Sequence, residues 1–214
     1  MATIGLLTAL GLLTTLELTG AILNGPDTAV LNWMLTHRST HLTSAAVAVT
    51  NSGTSPLLYP LVAAAGLAVR LRTRRWAPVG TALAAIIVGV LTRLGLSTLV
   101  SDSRPPQADQ LVRVHGYSFP SGHAATSALV AGSLAWLLTY HLAQHRLTRL
   151  AIWTTLAGWT LLVALSRIYL GVHWISDIVG SWLLAAVWLL LLPATDRLLQ
   201  RTRPTTHTAS TRPE

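Results

Sequence analysis

Residues Trp76–Val100 read WAPVGTALAAIIVGVLTRLGLSTLV, twenty-five positions that carry a single charge, Arg93. A helix needs roughly 20 mostly apolar residues to cross the hydrocarbon core of a bilayer, and this stretch exceeds that length. Five further runs repeat the pattern on either side: Ile4–Leu23, Pro56–Val69 (lengthened upstream by Ser44–Val49), Ala124–Ala143, Leu150–Leu170 and Ile178–Ala194. The 214-residue chain is 51% hydrophobic and only 10% charged, with a mean hydropathy of +0.53. Soluble domains are about 25% charged, so this chain has too few charges to cover a water-facing surface. The expected fold is all-α, an integral membrane bundle of six transmembrane helices. Between the first two runs, Val30, Leu31, Met34 and Leu35 recur at helical spacing within Asn24–Ser55, which predicts a surface helical segment lying on the membrane. The bundle is expected over residues 1–199, followed at 200–214 by a disordered cytoplasmic tail rich in Thr, Arg and Pro.

All 15 basic residues are arginine, and the formal net charge is +8. Nucleic-acid binders spread such charge over a soluble face. Here it falls between apolar runs, so no nucleic-acid partner is expected. The absence of cysteine excludes a disulfide framework and thiolate chemistry. Met1–Gly5 carries no basic n-region, so no cleaved leader is expected. With the N-terminus inside, Arg70, Arg72, Arg74, Arg75, Arg146, Arg149, Arg197, Arg201, Arg203 and Arg212 fall on the cytoplasmic side. Only Arg38, Arg104, Arg113 and Arg167 fall outside. That asymmetry obeys the positive-inside rule and predicts a multi-pass cell-membrane protein with both termini cytoplasmic. The four outer arginines run against the bias and need another reason.

Three short segments share that outer side: Ser103-Arg104-Pro105, Pro120-Ser121-Gly122-His123, and Ser166-Arg167 followed by His173 and Asp177. Pro105 disfavours helix at Arg104, which predicts that the third span ends there. Pro120 and Ser121 suit a helix start, with Ser121 as N-cap. The amides of Gly122 and His123 would then lie in a first turn that favours an anion. Gly171 is expected to break the fifth span, and the four-residue spacing of His173 and Asp177 predicts one helical face on which the carboxylate holds the imidazole. Guanidinium forks and backbone amides match phosphate oxygens. One histidine oriented by a carboxylate can act as nucleophile or base, and a second as acid. This inventory suits phosphoryl transfer without metal or other cofactor, since a two-metal site would want several clustered carboxylates.

These three segments resemble the signature motifs of the type 2 phosphatidic acid phosphatase (PAP2) superfamily, and the six-span layout resembles its membrane branch over nearly the whole chain. The resemblance implies that His173 attacks phosphorus and becomes a phosphohistidine, oriented by Asp177. His123 would protonate the leaving oxygen and then activate water. Arg104, Arg167, Ser121 and the Gly122 amide would hold the phosphoryl oxygens. One departure stands out: the first motif usually places a lysine seven residues before the arginine, and this chain has Ser97 there. Arg93 lies one turn below on the same face, where helical side chains lean toward the cytoplasmic end and so away from the site. Arg113 is the expected substitute cation.

The expected activity is hydrolysis of a lipid phosphomonoester or diphosphate by an active site on the outer face, reached from the bilayer by its lipid substrate. Phosphatidate, phosphatidylglycerol phosphate and a polyprenyl diphosphate all fit, and analogy with short bacterial members favours the last. Two alternatives share the layout: a lipid phosphotransferase using the same intermediate, and a non-catalytic membrane protein that keeps the fold.

Overall fold

A computed structural model describes residues 2–19, 24–53 and 55–201; the expected tail falls, from residue 202 onward, outside the described residues. Those residues form eight α-helices, with no strand among them. They are α1 (Ala2–Thr19), α2 (Asn24–Thr36), α3 (Thr40–Ser52), α4 (Ser55–Thr73), α5 (Ala77–Val100), α6 (Gly122–His141), α7 (Arg146–Tyr169) and α8 (Ile175–Arg201). A single 3₁₀ turn, Gln107–Asp109, interrupts the long loop between α5 and α6. Among the described residues, α5, α7 and the Ile175–Leu199 part of α8 are long and apolar enough to cross a membrane.

The centre of the molecule is α6, which packs against α4, α5, α7 and α8. Its side chains from Ala124 to Thr139 are mostly buried, and many are Ala, Gly or Ser. Small residues suit this place, because helix association in lipid rests on close packing rather than on expulsion of water. The neighbours show how close the approach is. A Cβ on Gly89 of α5 would lie 2.6 Å from Leu129 Cδ1, and one on Gly132 would collide with Leu189 of α8. Around this centre α5 and α7 turn Leu83, Ile87, Leu91, Leu94, Leu161 and Leu162 outward, a surface suited to lipid tails.

The structure departs from the sequence expectations at three places. The surface segment is two helices rather than one, because Arg38 leaves the helix and Ser39 starts another, its Oγ accepting from Leu42 N at 3.3 Å. Residues Ser44–Val49 belong to α3, which packs on α7 and ends at the Gly53 cap, so they do not lengthen the second span. The third span ends at Val100 instead of Arg104. There Ser101 turns left-handed (φ 53°) and closes the helix with its N–H on Ser97 O.

Candidate active site

The candidate site is assembled where the starts of α6 and α8 meet the C-terminal half of α5 and the end of α7. Helix α7 stops at Tyr169, and Gly171 takes φ +72°, a conformation that costs a residue with a side chain. Space excludes a side chain there too, since a Cβ would collide with Asp109 O. Arg38 braces this corner, donating from Nη2 to Asp109 O at 2.7 Å and to Tyr169 O at 2.9 Å. This gives a structural reason for one of the four arginines expected outside: a cation on the last carbonyls of a helix. Arg113 is exposed in the outer loop.

His173 lies in the turn before α8, not on the helix with Asp177 as its spacing suggested. Asp177 sits in the first turn and reaches back. Its Oδ2 accepts from His173 Nδ1 at 3.0 Å, Trp174 N at 2.8 Å and Ser118 Oγ at 2.5 Å. The bond to Trp174 N is the backward half of a capping box, so one carboxylate starts the helix and fixes the imidazole. On the other side of the ring, Nε2 lies 3.0 Å from Arg104 Nη1. A guanidinium can only donate, so Nε2 is the acceptor and the ring proton is on Nδ1. Burial, then the charges of Arg104, Arg167 and Arg93, hold the His173 pKa well below the usual imidazole value. A neutral ring follows, protonated at Nδ1 and with its Nε2 lone pair accepting from Arg104 Nη1.

Arg104 donates to backbone at four further points: Gly116 O at 2.9 Å, Val172 O at 2.7 Å, His115 O at 3.3 Å and Tyr117 O at 2.9 Å. It therefore folds the loop around His173 as much as it faces a ligand. Arg167 is buried, with Nη1 on Thr50 Oγ1 of α3 at 3.0 Å and Nε without a partner. Ser121 is the N-cap residue of α6, yet its hydroxyl makes no capping bond and is buried unpaired. The Gly122 and His123 amides belong to the first turn, which has no intrahelical acceptors. His123 is close enough to feel the charges of Arg167, His173, Arg104 and Arg93. His173, Asp177, Arg104, Arg167, Ser121, Gly122 and His123 are thus brought together around the starts of α6 and α8, whereas Arg113 stands exposed in the loop between α5 and α6.

Four contributors escaped the sequence. Ser118 holds Asp177, Thr50 holds Arg167, and Asp27 of α2 is buried against the start of α8, accepting from Ser176 N at 3.0 Å and Ser176 Oγ at 2.9 Å. Arg93 is the fourth and a correction. It does not lean away: its Nε donates to Pro120 O at 2.9 Å. The Cα–Cβ tilt sets only the first bond of a long side chain, and the outer end of α6 starts low enough to be reached. Glu17 of α1 turns inward toward Ser176.

Residues 76–201 match the sequence profile of the PAP2 superfamily. The chain is 27% identical over 179 residues to phosphatidylglycerophosphatase B of Bacillus subtilis (strain 168), covering 83% of this chain and 86% of that protein. It is also similar to the crystal structure of a transmembrane PAP2 type phosphatidylglycerolphosphate phosphatase from Bacillus subtilis. The TM-score is 0.83 at 26% identity, over 94% of this chain and 98% of that one. The Aquifex aeolicus LpxE structure shares the fold at a TM-score of 0.61 and 23% identity, over 78% of this chain and 94% of that one.

Proposed function

The chain belongs to the PAP2 superfamily, and from that premise we propose that it is a membrane lipid phosphatase working through a phosphohistidine on His173. One observation carries the reading. Arg93, Arg104 and Arg167 surround a buried His–Asp pair, and none of the three forms an ion pair with a carboxylate among the described residues. Arg167 is buried and Arg93 and Arg104 are half-buried, and Asp177, whose charge bears on Arg93 and Arg104, is already committed to His173, Trp174 and Ser118. Cations taken partly out of water without a bonded anion are costly, and a phosphoryl group would supply one. The unpaired Ser121 Oγ and Arg167 Nε are two further donors for it.

In the proposed reaction His173 Nε2 gives up its hydrogen bond from Arg104 Nη1 and attacks phosphorus, the P–O bond to the lipid breaks, and His123 gives a proton to the departing oxygen. Asp177 stabilises the ring while Nδ1 keeps its proton, as a carboxylate does for a catalytic imidazole. A water deprotonated by His123 then attacks phosphorus, the N–P bond breaks, and His173 returns to its neutral form. Charge stabilisation in this reading comes from the guanidiniums and the α6 amides. We further propose that α1, α4, α5, α6, α7 and α8 all cross the bilayer, with both termini cytoplasmic and the pocket outside. Phosphatidylglycerol phosphate is the first substrate to test, because the similarity to Bacillus subtilis phosphatidylglycerophosphatase, in sequence and in structure, points there; a polyprenyl diphosphate is the comparison.

Protein purified in detergent should release phosphate from phosphatidylglycerol phosphate with a chelator present. His173→Ala should lower the rate by at least about 10³-fold. Full activity in His173→Ala, or strict dependence on added metal, would overturn the mechanism.

A further inference from the structure

The three guanidiniums of the pocket differ in what they have left to offer. Arg104 spends its donors on four backbone carbonyls and His173. Arg167 commits Nη1 to Thr50. Arg93 commits only Nε, to Pro120 O, and neither of its terminal nitrogens has a protein partner among the described residues. It alone keeps both tips of its fork free.

Those tips lie beside the α6 amides that the sequence already assigns to an anion. A Cβ built on Gly122 would be 3.4 Å from Arg93 Cζ and 3.5 Å from Nη2, so the guanidinium rests on the face of Gly122 left open by its missing side chain. Its charge bears on His173, His123 and Asp177. Ser97, one turn outward on the same helix, is buried and uncharged. A side chain donating through Nε to a backbone carbonyl is pre-oriented, and its two remaining nitrogens match two oxygens of one phosphoryl group.

We propose that Arg93 is a phosphoryl-binding residue of this site, gripping the transferred group with Nη1 and Nη2 from a seat formed by Pro120 and Gly122. It fills from one turn deeper the cationic role for which Ser97 has no charge. The inference rests on the function proposed above, and its test separates the two. The probe is inorganic phosphate, which should raise the unfolding temperature of the full chain in detergent. Arg93→Gln keeps an amide able to donate to Pro120 O but removes the charged fork. Affinity for phosphate should fall about 10-fold or more, and kcat/KM for phosphatidylglycerol phosphate about 10- to 100-fold. Adding Ser97→Lys to Arg93→Gln should recover about 10-fold of the lost kcat/KM, which a residue that merely braced Pro120 would not allow. Should Arg93→Gln fail to fold, Arg93→Lys decides: its single ammonium lowers phosphate affinity several-fold if the fork binds phosphate and leaves it unchanged if it does not. Wild-type values within about twofold for phosphate affinity and for kcat/KM in a folded Arg93→Gln protein would overturn the assignment. If phosphate binding depends on Arg93 but the wild type hydrolyses no lipid phosphate, the proposed function falls and the binding role stands.

Discussion

Ser118 Oγ lies 2.5 Å from Asp177 Oδ2 and 3.5 Å from His173 Nδ1, so a hydroxyl outside the three motifs helps decide where the Asp177 carboxylate points. Removing it leaves Asp177 with its bonds to His173 and Trp174 and a looser hold on the ring. Ser118→Ala should lower kcat about 10-fold with little change in KM, because Ser118 touches the positioning group and not the substrate. Steady-state kinetics separate the two constants. His173 itself makes a second prediction. Its pKa is held down by burial and by Arg104 and its neighbours, so protons do not compete for Nε2 in the range where an ordinary imidazole titrates, near 6.5. The sign is therefore fixed: loss of activity from protonation of His173 should begin well below pH 6.5, read as the acid limb of kcat/KM. Arg104→Gln should move that limb upward. At this scale His123, His173, Asp177, Ser121 and Gly122 were legible because motif spacing reports them directly. Arg93 and Ser118 were not, since one depends on the path of a flexible side chain and the other on a loop folding back over α8.

Among the elements, α8 carries most of the constraint. Its first turn holds Asp177, its N-terminus is capped by Asp27 from α2, and Gly180 lies against the ring of Phe119. Phe119 immediately precedes Pro120 and Ser121, so this contact sets the distance between the two halves of the pocket. A Cβ at Gly180 would collide with Phe119 and also meet Leu13 of α1. Gly180→Ala should destabilise by about 1–3 kcal/mol through overpacking, seen as a lower unfolding temperature, and should lose activity as the phosphate-binding turn moves away from His173. Asp27→Ala should cost about 0.5–2 kcal/mol, the usual range for a lost helix cap. The helices themselves were legible from apolar run length alone. The break at Arg38 was not, because it serves a tertiary purpose: its guanidinium is needed on the carbonyls at the end of α7, more than a hundred residues away in sequence.

For the whole molecule, arginine distribution and the outward apolar faces of α5 and α7 together support a bundle that crosses the bilayer. The chain has no cysteine, so single cysteines report topology without background. Ser103→Cys should react with a membrane-impermeant thiol reagent from outside intact cells, and Thr73→Cys only after the membrane is opened. The reverse pattern would invert the proposed orientation. The all-α class and the membrane setting could be expected from composition, whereas the reach of Arg93 to Pro120 could not. Arg93 lies eight residues before Ser101, about 12 Å along α5 at 1.5 Å per residue, and its guanidinium meets the Pro120–Gly122 turn from that deeper level. In the proposed mechanism such a recess would put the two reactants on different roads. A lipid whose tails stay in the bilayer would have to approach sideways between helices, while water would descend through the loop that holds Arg104. The fate of a phosphorylated histidine would then become a question of traffic: whichever hydroxyl arrives first by its own road, from above or from the membrane, would take the phosphoryl group.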